Sequence, residues 1–116
     1  NLFLPVIEHW SQALDHSIYH VDGVDAFRHI PALAELPRIQ AFQILPGAGK
    51  PSPLYYLDTL RMVQERRKNL FITLEPDEVE NALGLLSSRG LFIQTHCGTE
   101  AEARYLLKMV EKWSRP

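Results

Sequence analysis

The sequence predicts an α/β fold built from parallel βα repeats, and three observations carry that prediction. Short, near-continuous apolar runs alternate with stretches of helical periodicity. Each run ends in a cluster of Pro, Gly, Asp or Thr of the kind that opens a helix. The order is a helix followed by strand and helix repeated four times, which is the plan of a sheet covered by its own crossovers. The chain therefore divides as one domain over 1–116, with a leading helix over 1–15 and four βα units over 16–116.

The elements follow in order. Leu2, Val6, Ile7, Trp10 and Leu14 fall near helical spacing, and Pro5 is tolerated within the first turn. Ser17-Ile18-Tyr19-His20-Val21 is a β-rich run that Asp22-Gly23 breaks. Helical sequence then runs from Val24 to Leu36, but Pro31 cannot sit inside it, so a short turn over 24–29 and a second helix from Pro31 are expected. Residues 39–45 form the second strand, and a proline- and glycine-rich loop over 46–53 leads into a helix over 54–68 whose basic end suits the negative pole of its dipole. The third strand is 69–74. Glu75-Pro76-Asp77-Glu78 opens the helix that buries Val79, Ala82, Leu83 and Leu86. The fourth strand is 90–95, and Thr99 with Glu102 forms a capping box at the start of a helix over 100–113 that turns Tyr105, Leu106, Met109 and Val110 inward.

Composition excludes several classes. With 116 residues, 46% hydrophobic and 22% charged, the chain has material for a core and is neither disordered nor fibrous. Twelve Lys and Arg against 14 Asp and Glu give a net charge of −2, which is not the footprint of a nucleic-acid binder. No apolar run approaches the roughly 18 residues of a membrane span. The lone Cys97 makes no internal disulfide, and with no basic leader in view a cytoplasmic location is expected.

Periodicity leaves two closures open. Four units make a small doubly wound sheet, or half of a (β/α)8 barrel of roughly 250 residues. Five segments bear on the choice: Tyr19-His20-Val21-Asp22-Gly23, Arg28-His29-Ile30-Pro31-Ala32-Leu33, Gln43 through Pro46-Gly47-Ala48-Gly49, Glu75-Pro76-Asp77-Glu78-Val79, and Gly90-Leu91-Phe92-Ile93 followed by Cys97-Gly98. Together, over nearly the whole chain, these resemble the C-terminal part of the uroporphyrinogen decarboxylase-like superfamily, closest to the branch that includes cobalamin-dependent methyltransferases. The resemblance implies strands five to eight of a TIM barrel, whose active site lies at the C-terminal ends of the strands.

It also implies a zinc site. In that branch a His-x-Cys on one strand and a Cys-Gly on the last hold zinc, which activates a thiol for methyl transfer to or from a corrinoid on a partner protein. Here the corresponding residues are His20, Asp22 and Cys97, with Asp22 where the pattern has Cys, a harder and less zinc-selective ligand. Read without the resemblance, Asp22 before Gly23 is a helix N-cap, His20 a strand histidine and Cys97 a small hydrophobe. Cys97 also stands two residues before the helix cap at Thr99, a place that favours a reactive thiolate. His96 is one position off, so only one of the pair faces the site.

Glu75 is the candidate acid or base at the end of the third strand, while Asp77 reads as a dipole partner. Gln43, Gly47 and Gly49 are the candidate cofactor contacts. The Gly47-Ala48-Gly49-Lys50 loop fails the phosphate-loop template, since Ile44 stands where its first Gly is required and Pro51 where Ser or Thr is required. His9, His16 and His29 are surface histidines, Trp10 and Trp113 packing residues, and Arg66-Arg67-Lys68 a solvated helix end. The expected activity is methyl transfer between a corrinoid and a thiol or related small-molecule acceptor. Its rivals are decarboxylation of a tetrapyrrole, and a non-catalytic half-barrel that assembles with another chain, whether a missing N-terminal half or a second copy in a homo-oligomer.

Overall fold

A computed structural model of the protein describes residues 3–116; the first two residues of the predicted leading helix lie outside them. Helix α1 (Leu4–Gln12) precedes strand β1 (Ile18–Asp22). A 3-10 turn over Val24–His29 runs into the short helix α2 (Ile30–Leu33), then β2 (Ala41–Leu45). A second 3-10 turn, Pro53–Tyr56, leads into α3 (Leu57–Glu65) and β3 (Asn69–Thr73), and a third, Pro76–Glu78, into α4 (Val79–Leu85), β4 (Leu91–Gln94) and α5 (Glu100–Trp113). The alternating βα plan is as predicted. Pro31 falls in the first turn of α2, where its missing N–H costs nothing, and the chain before it tightens to 3-10 as its ring requires.

The four strands pair in parallel in the order β1-β2-β3-β4. Every crossover thus steps one strand in the same direction, and crossovers of one hand then carry every helix to the same face. A doubly wound sheet needs a reversal of strand order, which is absent here. Burial follows that geometry. Val21, Phe42, Ile44, Leu70 and Ile72 face the helices and form the core with Ile30, Leu60, Val63 and Ala82, while Leu91 and Ile93 pack against it. Truncating a core side chain such as Ile72 would cost about 2–5 kcal/mol.

The opposite face is uncovered. It carries Ile18, His20 and Asp22 of β1, Gln43 and Leu45 of β2, Phe71 and Thr73 of β3, and Phe92 and Gln94 of β4, all half-buried or exposed. The apolar character of the strands is therefore matched by helix cover on one side only. Two expectations change for the same reason. Trp10 is 70% exposed and does not pack, and Tyr105 is 62% exposed instead of pointing inward, because nothing in the described chain lies beyond α1 or α5. From α1, Leu4 and Ile7 reach the core.

Side-chain clamps hold the strands at their N-terminal ends. Ser17 N–H donates to Gln40 Oε1 at 2.7 Å, Gln40 Nε2 donates to the Asp15 carbonyl at 3.2 Å, and the Asn69 N–H donates to the Gln40 carbonyl at 2.8 Å. Gln64 clamps the end of α4 in both directions, donating to the Ser87 carbonyl at 2.7 Å and accepting from its N–H at 3.1 Å. Lys68 is not simply solvated: its ammonium donates to the Leu36 carbonyl at 2.9 Å, and burial lowers its pKa from the ordinary lysine value.

The end of α3 stores local strain. Arg67 adopts φ of 60°, and Lys68 N–H donates back to the Val63 carbonyl at 3.2 Å, a helix stop that ordinarily uses Gly. Left-handed backbone costs a side-chain-bearing residue about 1–2 kcal/mol. Arg67→Gly is therefore expected to raise the urea midpoint with an unchanged slope, a gain of about 1 kcal/mol after the added flexibility of the unfolded chain is subtracted. An unchanged or lower midpoint would show that the strain is not there.

Candidate functional site

Parallel pairing brings the C-terminal ends of all four strands to one edge of the sheet, and the polar residues singled out in the sequence collect there. The ends of β1 and β2 are joined beyond their ladder: Gly23 N–H donates to the Leu45 carbonyl at 2.8 Å and Val24 N–H to the Pro46 carbonyl at 3.1 Å. Gly23 holds φ 96° and ψ 147°, a conformation essentially reserved for glycine. A Cβ on Gly47, itself at φ 112°, would stand 3.7 Å from the Gly23 Cα. That is ordinary contact, so the first two loops meet there without crowding, and it is the positive φ at both positions, not lack of space, that calls for glycine.

Over this junction lies a cleft of about 540 Å³, lined by Asp22, the 45–48 and 50–53 stretches, and Thr73, Leu74, Glu75 and Glu78. Ser52 caps the turn at its rim, its Oγ accepting from Leu54 N–H at 3.3 Å. Asp22 is not the helix N-cap that its place before Gly23 suggested; that cap position belongs to Gly23 and has no side-chain hydrogen bond. Gly47 lines the cleft, while Gly49 belongs to the same loop at φ 75° without being a lining residue.

The acids after β3 have a structural role. Glu78 Oε1 accepts the Glu75 N–H at 3.0 Å and the Glu78 N–H donates to the Glu75 carbonyl at 3.0 Å, with the Glu75 side chain over that same N–H as the second arm of a capping box. Glu75 is therefore both a cleft residue and a helix cap. At α5, Thr99 Oγ1 accepts from Glu102 N–H at 3.2 Å as the capping signature required, while Glu102 reaches one residue further and accepts from Gly98 N–H at 3.1 Å.

One layer below the cleft, register sets His20 beside Gln43, Gln43 beside Phe71 and Phe71 beside Phe92, a row across the open face. His20 Nδ1 and Gln43 Oε1 are 2.8 Å apart, and the two phenyl rings stack with centroids 4.5 Å apart and planes 18° from parallel. Sequence patterning does not reveal the His20–Gln43 pair, because it depends on strand register across 23 residues.

Cys97 is placed differently. It is half-buried and the neighbouring His96 exposed, and both line a second cleft of about 460 Å³ at the free edge of β4, with Ala103, Leu106 and Leu107 of α5. Thr95 Oγ1, two residues earlier, is buried without a hydrogen-bond partner among the described residues. His20 and Asp22 lie on one edge strand and Cys97 beyond the other, three interstrand steps or on the order of 14 Å apart along the sheet. Among the described residues no group of three or more His, Cys, Asp or Glu side chains comes together to hold a metal ion. The His20, Asp22 and Cys97 set does not fit a zinc ion within this chain alone.

Compared with known protein families, with curated proteins and with solved structures, the chain matches none. No helix among the described residues is long and apolar enough to cross a membrane.

The capping box makes a measurable claim. Glu75→Ala and Glu78→Ala are each expected to destabilise the protein by about 1 kcal/mol in urea unfolding. Because the two side chains serve one cap, the double variant should lose less than the sum of the single losses. A Glu75→Ala variant as stable as the wild type would contradict the reciprocal cap and return Glu75 to the cleft alone.

Proposed function

We propose that this chain is the C-terminal half of a (β/α)8 barrel in an enzyme of the uroporphyrinogen decarboxylase-like superfamily. Its site would lie at the C-terminal ends of the strands, and its reaction would be methyl transfer between a corrinoid and a thiol or related small acceptor. The observation that carries the barrel is where exposed large apolar side chains lie. Of nine large exposed hydrophobic residues among those described, five lie in the leading segment and β1 (Phe3, Val6, Trp10, Leu14, Ile18) and three in the last unit (Phe92, Tyr105, Leu107); Tyr55 is the ninth. A finished small domain spreads such residues singly, whereas a barrel cut between units exposes them at both cuts and along the inner wall.

The charge of the cleft favours methyl transfer over decarboxylation. A tetrapyrrole polycarboxylate asks for basic groups, and the cleft offers Lys50 against Asp22, Glu75 and Glu78. Arg28 is engaged with His29 at 3.4 Å and does not line the cleft. The chain's own contributions are then definite. Gly23 and Gly47 let the first two loops meet beneath the site, Lys50 and Ser52 form its rim, and Asp22 supplies a carboxylate not committed to a cap. Zinc, where the resemblance places it, would activate the acceptor thiol; with no gathered ligand set among the described residues, no step is assigned to it.

Two measurements test this. By light scattering the chain on its own is expected to self-associate, and the triple variant Trp10→Lys, Phe92→Lys, Leu107→Lys should become monomeric with unchanged far-UV circular dichroism, since these side chains sit outside the core. A wild-type chain that is monomeric and indifferent to the three lysines would contradict the half-barrel. For the chemistry, methylcobalamin and a thiol are expected to yield thioether with loss of the methyl-corrin absorbance, at least tenfold more slowly in Asp22→Ala. Release of carbon dioxide from tetrapyrrole carboxylates, with no demethylation, would replace methyl transfer by its rival.

A further inference from the structure

We propose that the space between β4, α4 and α5 is a binding site for an unbranched aliphatic molecule with one neutral hydrogen-bonding head, a medium-chain primary alcohol. Its hydroxyl would meet Thr95 Oγ1 and its chain would lie between the strand and the helices. The site is on the helical side of the sheet, where Leu91 and Ile93 of β4 pack against the core and Thr95 continues their alternation. It shares no lining residue with the cleft at the strand ends.

The shape comes from how α5 sits. It contains no fully buried residue, and between it, β4 and α4 a cavity of about 210 Å³ is left. Along β4 the lining runs from Leu91 to Thr95, about 13 Å of strand, and along α5 from Leu106 to Ser114, about 12 Å of helix. The cavity is therefore a channel parallel to β4, and so small a volume over that length admits a single hydrocarbon chain and not a ring system. One end is shut, because the Ser88 N–H and Oγ both donate to the Arg115 carbonyl, at 2.6 and 2.7 Å. The other end runs into the second cleft, with which it shares Ile93, Thr95, Leu106 and Leu107, and Leu107, 71% exposed, stands at the mouth.

The lining sets the chemistry of the occupant. Apart from three hydroxyl residues it is aliphatic, and none of it is charged, so a carboxylate or ammonium head would lose its hydration without gaining a partner. Two of the hydroxyls are committed at the shut end: Ser88 Oγ to the Arg115 carbonyl, and Ser114 Oγ to the Val110 carbonyl at 2.7 Å. Thr95 Oγ1 is the exception, buried with no hydrogen-bond partner among the described residues. A hydroxyl in that state is costly unless something comes to it. A lone water suits the place poorly, since it needs roughly two to four polar partners and Thr95 is the one hydroxyl at that end of the channel. An alcohol answers both demands. Its hydroxyl donates to or accepts from Thr95 Oγ1, while its chain covers apolar surface of Leu83, Leu91, Leu106 and Val110.

Methyl 1H–13C spectra of the whole chain, recorded at neutral pH while butanol, pentanol, hexanol, cyclohexanol or hexanoate is added, test the site. Hexanol is expected to shift the methyl signals of Leu83, Leu106 and Val110 saturably, with affinity rising about fourfold per added carbon from butanol to hexanol. Cyclohexanol and hexanoate should bind far more weakly than hexanol. Thr95→Val keeps the shape and removes the orphaned hydroxyl, so it should fold at least as stably as the wild type and bind hexanol about fivefold more weakly or worse. Thr95→Ser should recover most of that loss. Methyl signals that no alcohol moves saturably would overturn the proposal and leave Thr95 to a water, as would shifts centred on the open face of the sheet or an affinity indifferent to chain length. Equal hexanol affinity in Thr95→Val would remove the hydroxyl from the site, and hexanoate bound as tightly as hexanol would contradict the neutral head; either result overturns the proposal.

Discussion

The sequential order of the four parallel strands is the constraint from which most of the structure follows. Once each crossover advances by one strand in the same direction, a single crossover hand sends all the helices to one face, and the sheet is left with a covered side and a bare one. The core is accordingly one-sided, running from Val21 through Phe42, Ile44 and Leu70 to Ile72 beneath α2, α3 and α4. Among the described residues the outermost helices have no neighbours beyond them, which is why α5 contains no fully buried residue although its sequence is amphipathic. A closed barrel removes both problems at once, giving the edges partners and the bare face an interior.

The same constraint builds the cleft. Parallel strands place their C-terminal ends together, and Gly23 and Gly47 allow the first two loops to touch there, so residues far apart in sequence line one depression. The acids in it serve different ends, since Glu75 and Glu78 cap the turn that opens α4 whereas Asp22 caps nothing. Cys97 lies with α5 at the far edge, and the distance from β1 follows from strand order, not from any local feature of the sequence.

Much of the fold was legible because local signals and tertiary placement agree. The break at Pro31, the acid-proline opening at Glu75-Pro76 and the Thr99 cap each act within one turn of chain, and each appears where expected. What depended on neighbours was less legible. Hydrophobic spacing marked Trp10 and Tyr105 as helical apolar positions but could not say whether anything lies against them, and both stand exposed. Asp22 before Gly23 carried the signature of a cap, yet Gly23 takes the cap position itself in a backbone conformation that turns the chain over to the next strand. The His20–Gln43 contact lies wholly in the register of β1 against β2, information that neither segment contains alone.

The central claim is that β1 and β4 are cut edges of a closed barrel and not the natural borders of an open sheet. Amide hydrogen exchange on the native protein, resolved to single residues, tests it most directly. In each edge strand alternate N–H groups point away from the sheet, and among the described residues they have no strand to pair with. In a closed barrel those outward amides of β1 and β4 should exchange as slowly as the paired amides of β2 and β3. Outward amides that exchange at the rate of an unprotected chain, while β2 and β3 stay protected, would show that the sheet ends at β1 and β4 and would contradict the barrel.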